Sequence, residues 1–210
     1  MKHRMLAFSL VLSLLLAMGF AGVPGLLAQS DSPKAVKVLT IAMFEVGEMK
    51  GDFAGEAQFW VEGEGLDEVI EIPGSWSPVY CNADGHCLVV TGMGIANATS
   101  TVMAVGLSGK LDLSRAYVIV AGIGGVDPHD GTLGSAAWAG WVIDGDLAHE
   151  IDAREMPAEW DYPLIHLGCD APWCDEGSAA GTEVYQLNPA LVDWAYALSK
   201  DVELSDSEAA

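Results

Sequence analysis

Short continuous apolar runs, separated by glycine-rich polar stretches, set the pattern of this chain. Residues 36–44 (VKVLTIAMF) form one such run, and a strand without a polar face suits a sheet covered on both sides, as parallel sheets are. Residues 87–91 and 116–122 (AYVIVAG) predict two more buried strands, the latter rich in β-branched residues. Between them, Ile95, Ala98, Val102, Met103 and Val105 recur at approximately helical spacing over residues 95–108, and Gly109 supplies the stop signal. Strand, helix and strand in such close succession predict a right-handed βαβ crossover. A hairpin-like turn at residues 82–85 leads into the first of these strands, and residues 138–143 predict a further strand. Asn188-Pro189 opens a helix to about Lys200, with asparagine as N-cap, proline in the first turn, and Leu191, Val192, Ala195 and Leu198 as its apolar positions. Residues 45–80 are rich in glycine and proline and read as loops. Trp60 and Trp76, which lie among them, either line a pocket or, more simply, anchor those loops. The fold class is α/β.

The amino-terminal end changes the picture. Lys2, His3 and Arg4 precede an almost unbroken hydrophobic stretch at residues 6–20, and Pro24-Gly25 then breaks it before Ala28. That order reads as a secretory signal over residues 1–28, with an uncleaved anchor as the alternative, and leaves residues 29–210 as one domain. The signal holds two of the nine basic residues and none of the thirty acidic ones, so the remainder carries a net charge of −23. Such a surface repels phosphate backbones and anionic lipid, which disfavours nucleic-acid and peripheral-membrane roles. An exported, periplasmic or extracellular location makes disulfides the natural state of the four cysteines. Of three connectivities, two local bridges, Cys81–Cys87 and Cys169–Cys174, are favoured, because each closes a small loop rich in turn formers. Neither pair has the tight spacing of a zinc knuckle, and neither a metal nor a cofactor is expected.

Several chemical motifs fail. TGMGIAN has Asn97 where a dinucleotide fingerprint has its third glycine, GLSGKL lacks the P-loop spacing, and His149-Glu150 lacks a second histidine. Asn97-Ala98-Thr99 fits a glycosylation acceptor but opens a helix. What survives is a pair of glycine turns after neighbouring parallel strands, Thr91-Gly92-Met93-Gly94 and Ala121-Gly122-Ile123-Gly124-Gly125. Ligands of open α/β sheets settle beyond the carboxyl ends of the strands, and glycine lets backbone N–H groups approach them. The first turn also stands at a helix start, where the dipole favours negative charge.

TGMGIANATSTVMA followed by AYVIVAGIGGVDPHDGTLGSAAWAGWVIDGDL resembles the core of the nucleoside phosphorylase and nucleosidase superfamily. More closely, PVYCNADGHC, TGMGIANA, AGIGGVDP, GTLGSAAWA and DGDLAHEIDARE resemble the purine nucleoside permease family, exported proteins linked to nucleoside uptake. The resemblance runs from about Val36 to Lys200. It implies a three-layer fold around a central mixed, mostly parallel sheet, incomplete here at its C-terminal side. It places Gly92, Met93 and Gly94 beside the ribose or phosphate, Asn97 just inside the helix, and Gly122, Ile123, Gly124 and Gly125 as a second cradle. Glu45 stands near the position of a nucleosidase acid. Asp144, Asp146, His149 and Asp152 form a polar cluster that contacts ligand or caps loops. Two departures matter. Ile123 replaces the hydroxyl residue of related phosphorylases, and no arginine lies upstream, so phosphorolysis loses a donor and a charge partner. The strands that carry the purine-side groups do not follow the helix ending near Lys200. The implied function is nucleoside recognition, purine in class, for uptake with a separate membrane transporter. The alternatives are phosphate-independent cleavage of the N-glycosidic bond and a non-catalytic domain that keeps the fold.

Overall fold

The computed structural model describes residues 32–146, 148–174 and 183–203, so the expected signal segment lies outside the described residues. The chain divides after Gly124 into two compact units.

In the first unit, β1 (Lys34–Ala35), β2 (Val38–Ala42), α1 (Gln58–Gly63), β3 (Glu68–Ile70), β4 (Val79–Cys81), β5 (His86–Val90), α2 (Ile95–Leu107), β6 (Leu111–Asp112) and β7 (Tyr117–Val120) follow in order. Five strands form one sheet in the order β3-β4-β5-β2-β7, and β1 pairs with β6 beside it. β5, β2 and β7 run parallel, whereas β3-β4 and β4-β5 are antiparallel, so the sheet is mixed and β4 alone runs against the other four strands. The two glycine-ended strands β5 and β7 are not neighbours: β2 lies between them, and the α2 crossover passes over it.

The apolar runs explain this placement. Along β2 and β5 successive side chains point to opposite faces, and both faces need cover. Leu39, Ile41, Cys87 and Val89 pack with Val79, Cys81 and Val105 of α2 on one side. Ala42, Leu88 and Val90 pack with Ala57 and Val61 of α1 on the other, so helices cover both faces of this unit. Each fully buried aliphatic side chain of this kind contributes about 1.5–3 kcal/mol. Thr40 is the polar exception in β2. Its Oγ1 and His86 Nε2 are hydrogen bonded at 2.8 Å, while His86 Nδ1 lies 3.5 Å from Glu64 Oε2 and the Trp60 ring meets His86 edge-on. Trp60 is thus an anchor. Cys81 and Cys87 stand directly opposite in the β4–β5 register, 4.1 Å apart at Cα, and are bridged. The connecting turn is closed by Asn82, whose Oδ1 accepts from the N–H groups of Asp84 and His86, each at 3.0 Å.

Residues 45–80 are loop-rich as expected, with the short α1 and β3 lying within them. Two expectations are corrected here. Of the expected apolar positions of α2, Val105 is buried, while Ile95, Val102 and Met103 are exposed, and Thr101 shares the buried face because its hydroxyl links Trp76 N–H to Thr91 O. β7 is apolar but not buried: Val118 and Val120 are 59% and 69% exposed, because among the described residues β7 pairs with β2 alone and no helix covers its faces.

The second unit contains β8 (Trp141–Ile143) paired antiparallel with β11 (Val184–Gln186), β9 (Ala148–Glu150) paired antiparallel with β10 (Leu164–His166), and α3 (Pro189–Ser199). Asn188 caps α3 by accepting from the N–H groups of Ala190 and Leu191, and Trp138 Nε1 donates to Ser199 Oγ at 2.8 Å. The expected second bridge, Cys169–Cys174, is present. None of the apolar residues of α3 is buried. Among the described residues no helix is long and apolar enough to cross a membrane.

Candidate functional site

Extension of the parallel pairing sets where the strands stop. Thr91 N–H donates to Ala42 O at 2.8 Å, and Ala121 N–H donates to Ile41 O at 2.9 Å, so the carboxyl ends of β5, β2 and β7 finish level. Two turns leave from that edge.

At the first, Gly92 and Gly94 have φ of +76° and +93°, a region that side-chain-bearing residues rarely adopt. Gly94 is the N-cap of α2 and offers no side chain to it. At Gly92 a second constraint operates, since a Cβ would come within 2.6 Å of Trp76 Cδ2. Trp76 is held there through its backbone: its N–H donates to Thr101 Oγ1 at 3.0 Å, and that hydroxyl donates to Thr91 O at 3.3 Å. Asn97 turns back on the same loop, its Nδ2 donating to Met93 O at 2.9 Å. Met93 itself is 71% exposed.

At the second turn the key group is one the sequence pattern did not single out. Glu56 Oε2 accepts from the N–H groups of Met43 at 2.7 Å and Phe44 at 3.4 Å, and Oε1 accepts from Ile123 N–H at 2.9 Å. One carboxylate therefore ties the end of β2 to the turn after β7. Gly122 makes room for it, since a Cβ there would meet Met43 Cε at 2.3 Å and Glu56 Oε1 at 3.1 Å. Around Gly124 the space is open. Gly125 begins the second unit. Only an acidic residue just before α1 hinted at Glu56, and nothing local distinguishes it from the many other acids of this chain.

Glu45 occupies a structural post. Its Oε1 accepts from the N–H groups of Val46 and Gly55, and its Oε2 from those of Ala57 at 2.8 Å and Gln58 at 2.5 Å. It supplies the cap that Ala57, the N-cap residue of α1, cannot. Partial burial pushes its carboxyl up, but the four backbone donors together outweigh that and hold it below the usual carboxylate range. A group so placed stays ionised and orders the loop; it is poorly placed to deliver a proton.

The remaining candidates belong to the second unit. Asp144 Oδ1 accepts from Asp146 N–H at 2.9 Å, and the Asp144 N–H donates to Glu183 O at 2.7 Å. His149 is the central residue of β9, opposite Ile165. Asp152 accepts from Arg154 Nε at 2.9 and 3.1 Å and pairs with its Nη2. Each carboxylate with a recorded partner thus serves its own loop, and among the described residues no group of acids, histidines and cysteines converges as a metal site.

A cavity of about 530 Å³ opens at the other end of the strands, lined by Lys37, Val38, Arg115 and Tyr117 among others. Open α/β sheets bind beyond the carboxyl ends of their strands, and the glycine turns and Glu56 are there, so the carboxyl edge carries the functional reading. Nor does the Thr40–His86–Glu64 string act as a nucleophile with its base, because Thr40 is fully buried.

The family model described as purine nucleoside permease (NUP) matches residues 35–210. A Schizosaccharomyces pombe protein named as a probable purine nucleoside permease is 30% identical over 98% of this chain and 61% of its own length. A Candida albicans purine nucleoside permease is 31% identical over 73% of this chain and 40% of its own length. The chain therefore spans about three fifths and two fifths of these relatives. No solved structure gives a significant match.

Proposed function

The chain belongs to the purine nucleoside permease family, and from that premise we propose that it recognises a purine nucleoside at the carboxyl ends of β5, β2 and β7. The observation that carries this reading is the level strand edge with its two glycine turns, in which Gly92 and Gly94 take a backbone conformation suited to glycine and bring main-chain groups close to a ligand. Met93, Asn97, Ile123 and Gly124 border the same edge. In this reading the protein is exported behind the signal at residues 1–28 and acts outside the cytoplasm, in keeping with its two disulfides. It captures the nucleoside, and a separate membrane transporter carries it across the bilayer. The names of both relatives support uptake over cleavage, and Glu45, spent on capping α1, adds nothing to a cleavage mechanism.

The test is calorimetric titration of the chain with inosine and adenosine. Saturable binding is expected, with loss of at least roughly tenfold in affinity in Gly94→Val, whose side chain is disfavoured at positive φ. Circular dichroism would establish that the variant keeps its fold. Absence of nucleoside binding by the unaltered chain would overturn the reading.

A further inference from the structure

We propose that Glu56 is a specificity-determining residue that makes this edge a reader of sugar hydroxyls and excludes phosphate, with Trp76 as the platform for the base. The inference rests on the nucleoside-binding reading above and names the chemistry that the site selects.

A strand end followed by a glycine turn ordinarily offers its N–H groups to an anion. At the ends of β2 and β7 three such donors are already engaged. The N–H of Ile123 and those of Met43 and Phe44 all point at the Glu56 carboxylate, which fills the anion position at the ends of β2 and β7 from within the chain. A phosphate group arriving at this place meets a negative charge instead of a set of donors, in a protein whose formal net charge is already −21. A carboxylate has about four lone-pair positions. Three backbone donors face this one, and the bond from Phe44 is long, so Glu56 retains capacity to accept from an incoming hydroxyl. The vicinal hydroxyls of an unphosphorylated ribose are the groups that suit it.

Trp76 completes the argument from the β5 side. The Cβ that Gly92 lacks would fall against Cδ2, Cε2 and Cε3 of the indole. Cδ2 is a ring-fusion atom with no outer edge, so the turn lies under the face of the ring. Yet Trp76 remains 64% exposed. A large aromatic side chain with its backbone fastened to Thr101 and one face on the turn, but otherwise open to solvent, is a stacking surface waiting for a flat partner. A purine supplies one, and its ribose supplies hydroxyls for Glu56. Trp60, by contrast, is engaged with His86 and the α1 core.

The experiment titrates the full chain and its variants with inosine and with inosine 5′-monophosphate, following heat and tryptophan fluorescence. The unaltered chain should bind inosine at least roughly tenfold more tightly than the monophosphate, as like-charge juxtaposition demands. Glu56→Gln should weaken inosine binding and shrink that preference. Trp76→Phe should retain inosine binding while removing most of the fluorescence quench, and Trp76→Ala should weaken binding. Equal affinities for nucleoside and monophosphate in the unaltered chain overturn the proposal while leaving nucleoside binding intact, and this measurement needs no variant to fold. An unchanged preference in a folded Glu56→Gln, or an unchanged quench in Trp76→Phe, overturns the part played by that residue. Failure of inosine to bind at all overturns both this proposal and the reading on which it rests.

Discussion

Residues 32–124 and 125–203 are both rich in apolar residues and use them in opposite ways. In the first unit Val61, Leu66, Val79, Leu88 and Val89 have no solvent exposure at all. In the second, Trp141, Trp194 and Leu198 are 57%, 63% and 64% exposed, and Ile165 is its sole buried hydrophobic among the described residues. The difference teaches that apolar content does not make a core. β2 is flanked by β5 and β7 and covered by helices on both faces, so each of its side chains finds partners. β8 and β9 each pair with one three-residue strand, and two-stranded pairings of that size are marginal by themselves.

The comparison can be broken most forcefully at Leu88. Its truncation to alanine removes a side chain buried between β5 and α1, and we expect a loss of about 2–5 kcal/mol in urea unfolding. The same change at Leu198 should shift stability by less than about 0.5 kcal/mol. Comparable losses at both positions would show that the second unit has a core of its own.

The disulfides sharpen the contrast at smaller scale. Cys81 and Cys87 are fully buried inside the larger apolar cluster, whereas Trp173, next to Cys174, is 52% exposed. Replacing Cys81 and Cys87 by alanine should lower stability by about 2 kcal/mol, and replacing Cys169 and Cys174 should lower global stability less. Paired thermal melts of the two double variants would reveal a reversed order, which would contradict the assignment of the stable core to residues 32–124.

The smallest expected loss within the first unit is electrostatic and belongs to Glu45. Its folded-state carboxyl lies below the ordinary value of 4.5, so its contribution is present above that value and is lost as the pH falls through the lowered folded value. Glu45→Gln should therefore destabilise the chain at pH 7 by about 1 kcal/mol, the usual worth of a helix cap. The gap to the unaltered chain should close in strongly acidic solution. A gap that stayed constant from neutral to acid pH would mean that the carboxylate charge is not what holds the loop before α1.

Much of the fold was legible because its signals are local. The core of the first strand, the span of α2 between Gly94 and Gly109, the Asn188-Pro189 start of α3 and the two short cysteine loops all depend on residues a few positions apart. The glycine turns were legible for the same reason. Pairings across long stretches of chain were not. The sequence contains nothing local that seats β2 between β5 and β7, and so the two turns looked adjacent when a strand separates them. The apolar spacing of α2 suggested a face through Ile95 and Val102, but the sheet buries the side of Thr101, whose hydroxyl is needed between Trp76 and Thr91.

The sequence by itself determined the central strands, the spans of α2 and α3, where glycine must stand, and which cysteines pair, because backbone sterics, capping and short-loop closure act over a few residues. Only the tertiary structure decided what the acids do. Glu45 and Glu56 differ little as letters in an acidic loop, yet one caps α1 and the other bridges the ends of β2 and β7. A carboxylate takes its role from the N–H groups that converge on it, and those donors come from positions as distant as Met43 and Ile123, brought together only when β2 and β7 pair.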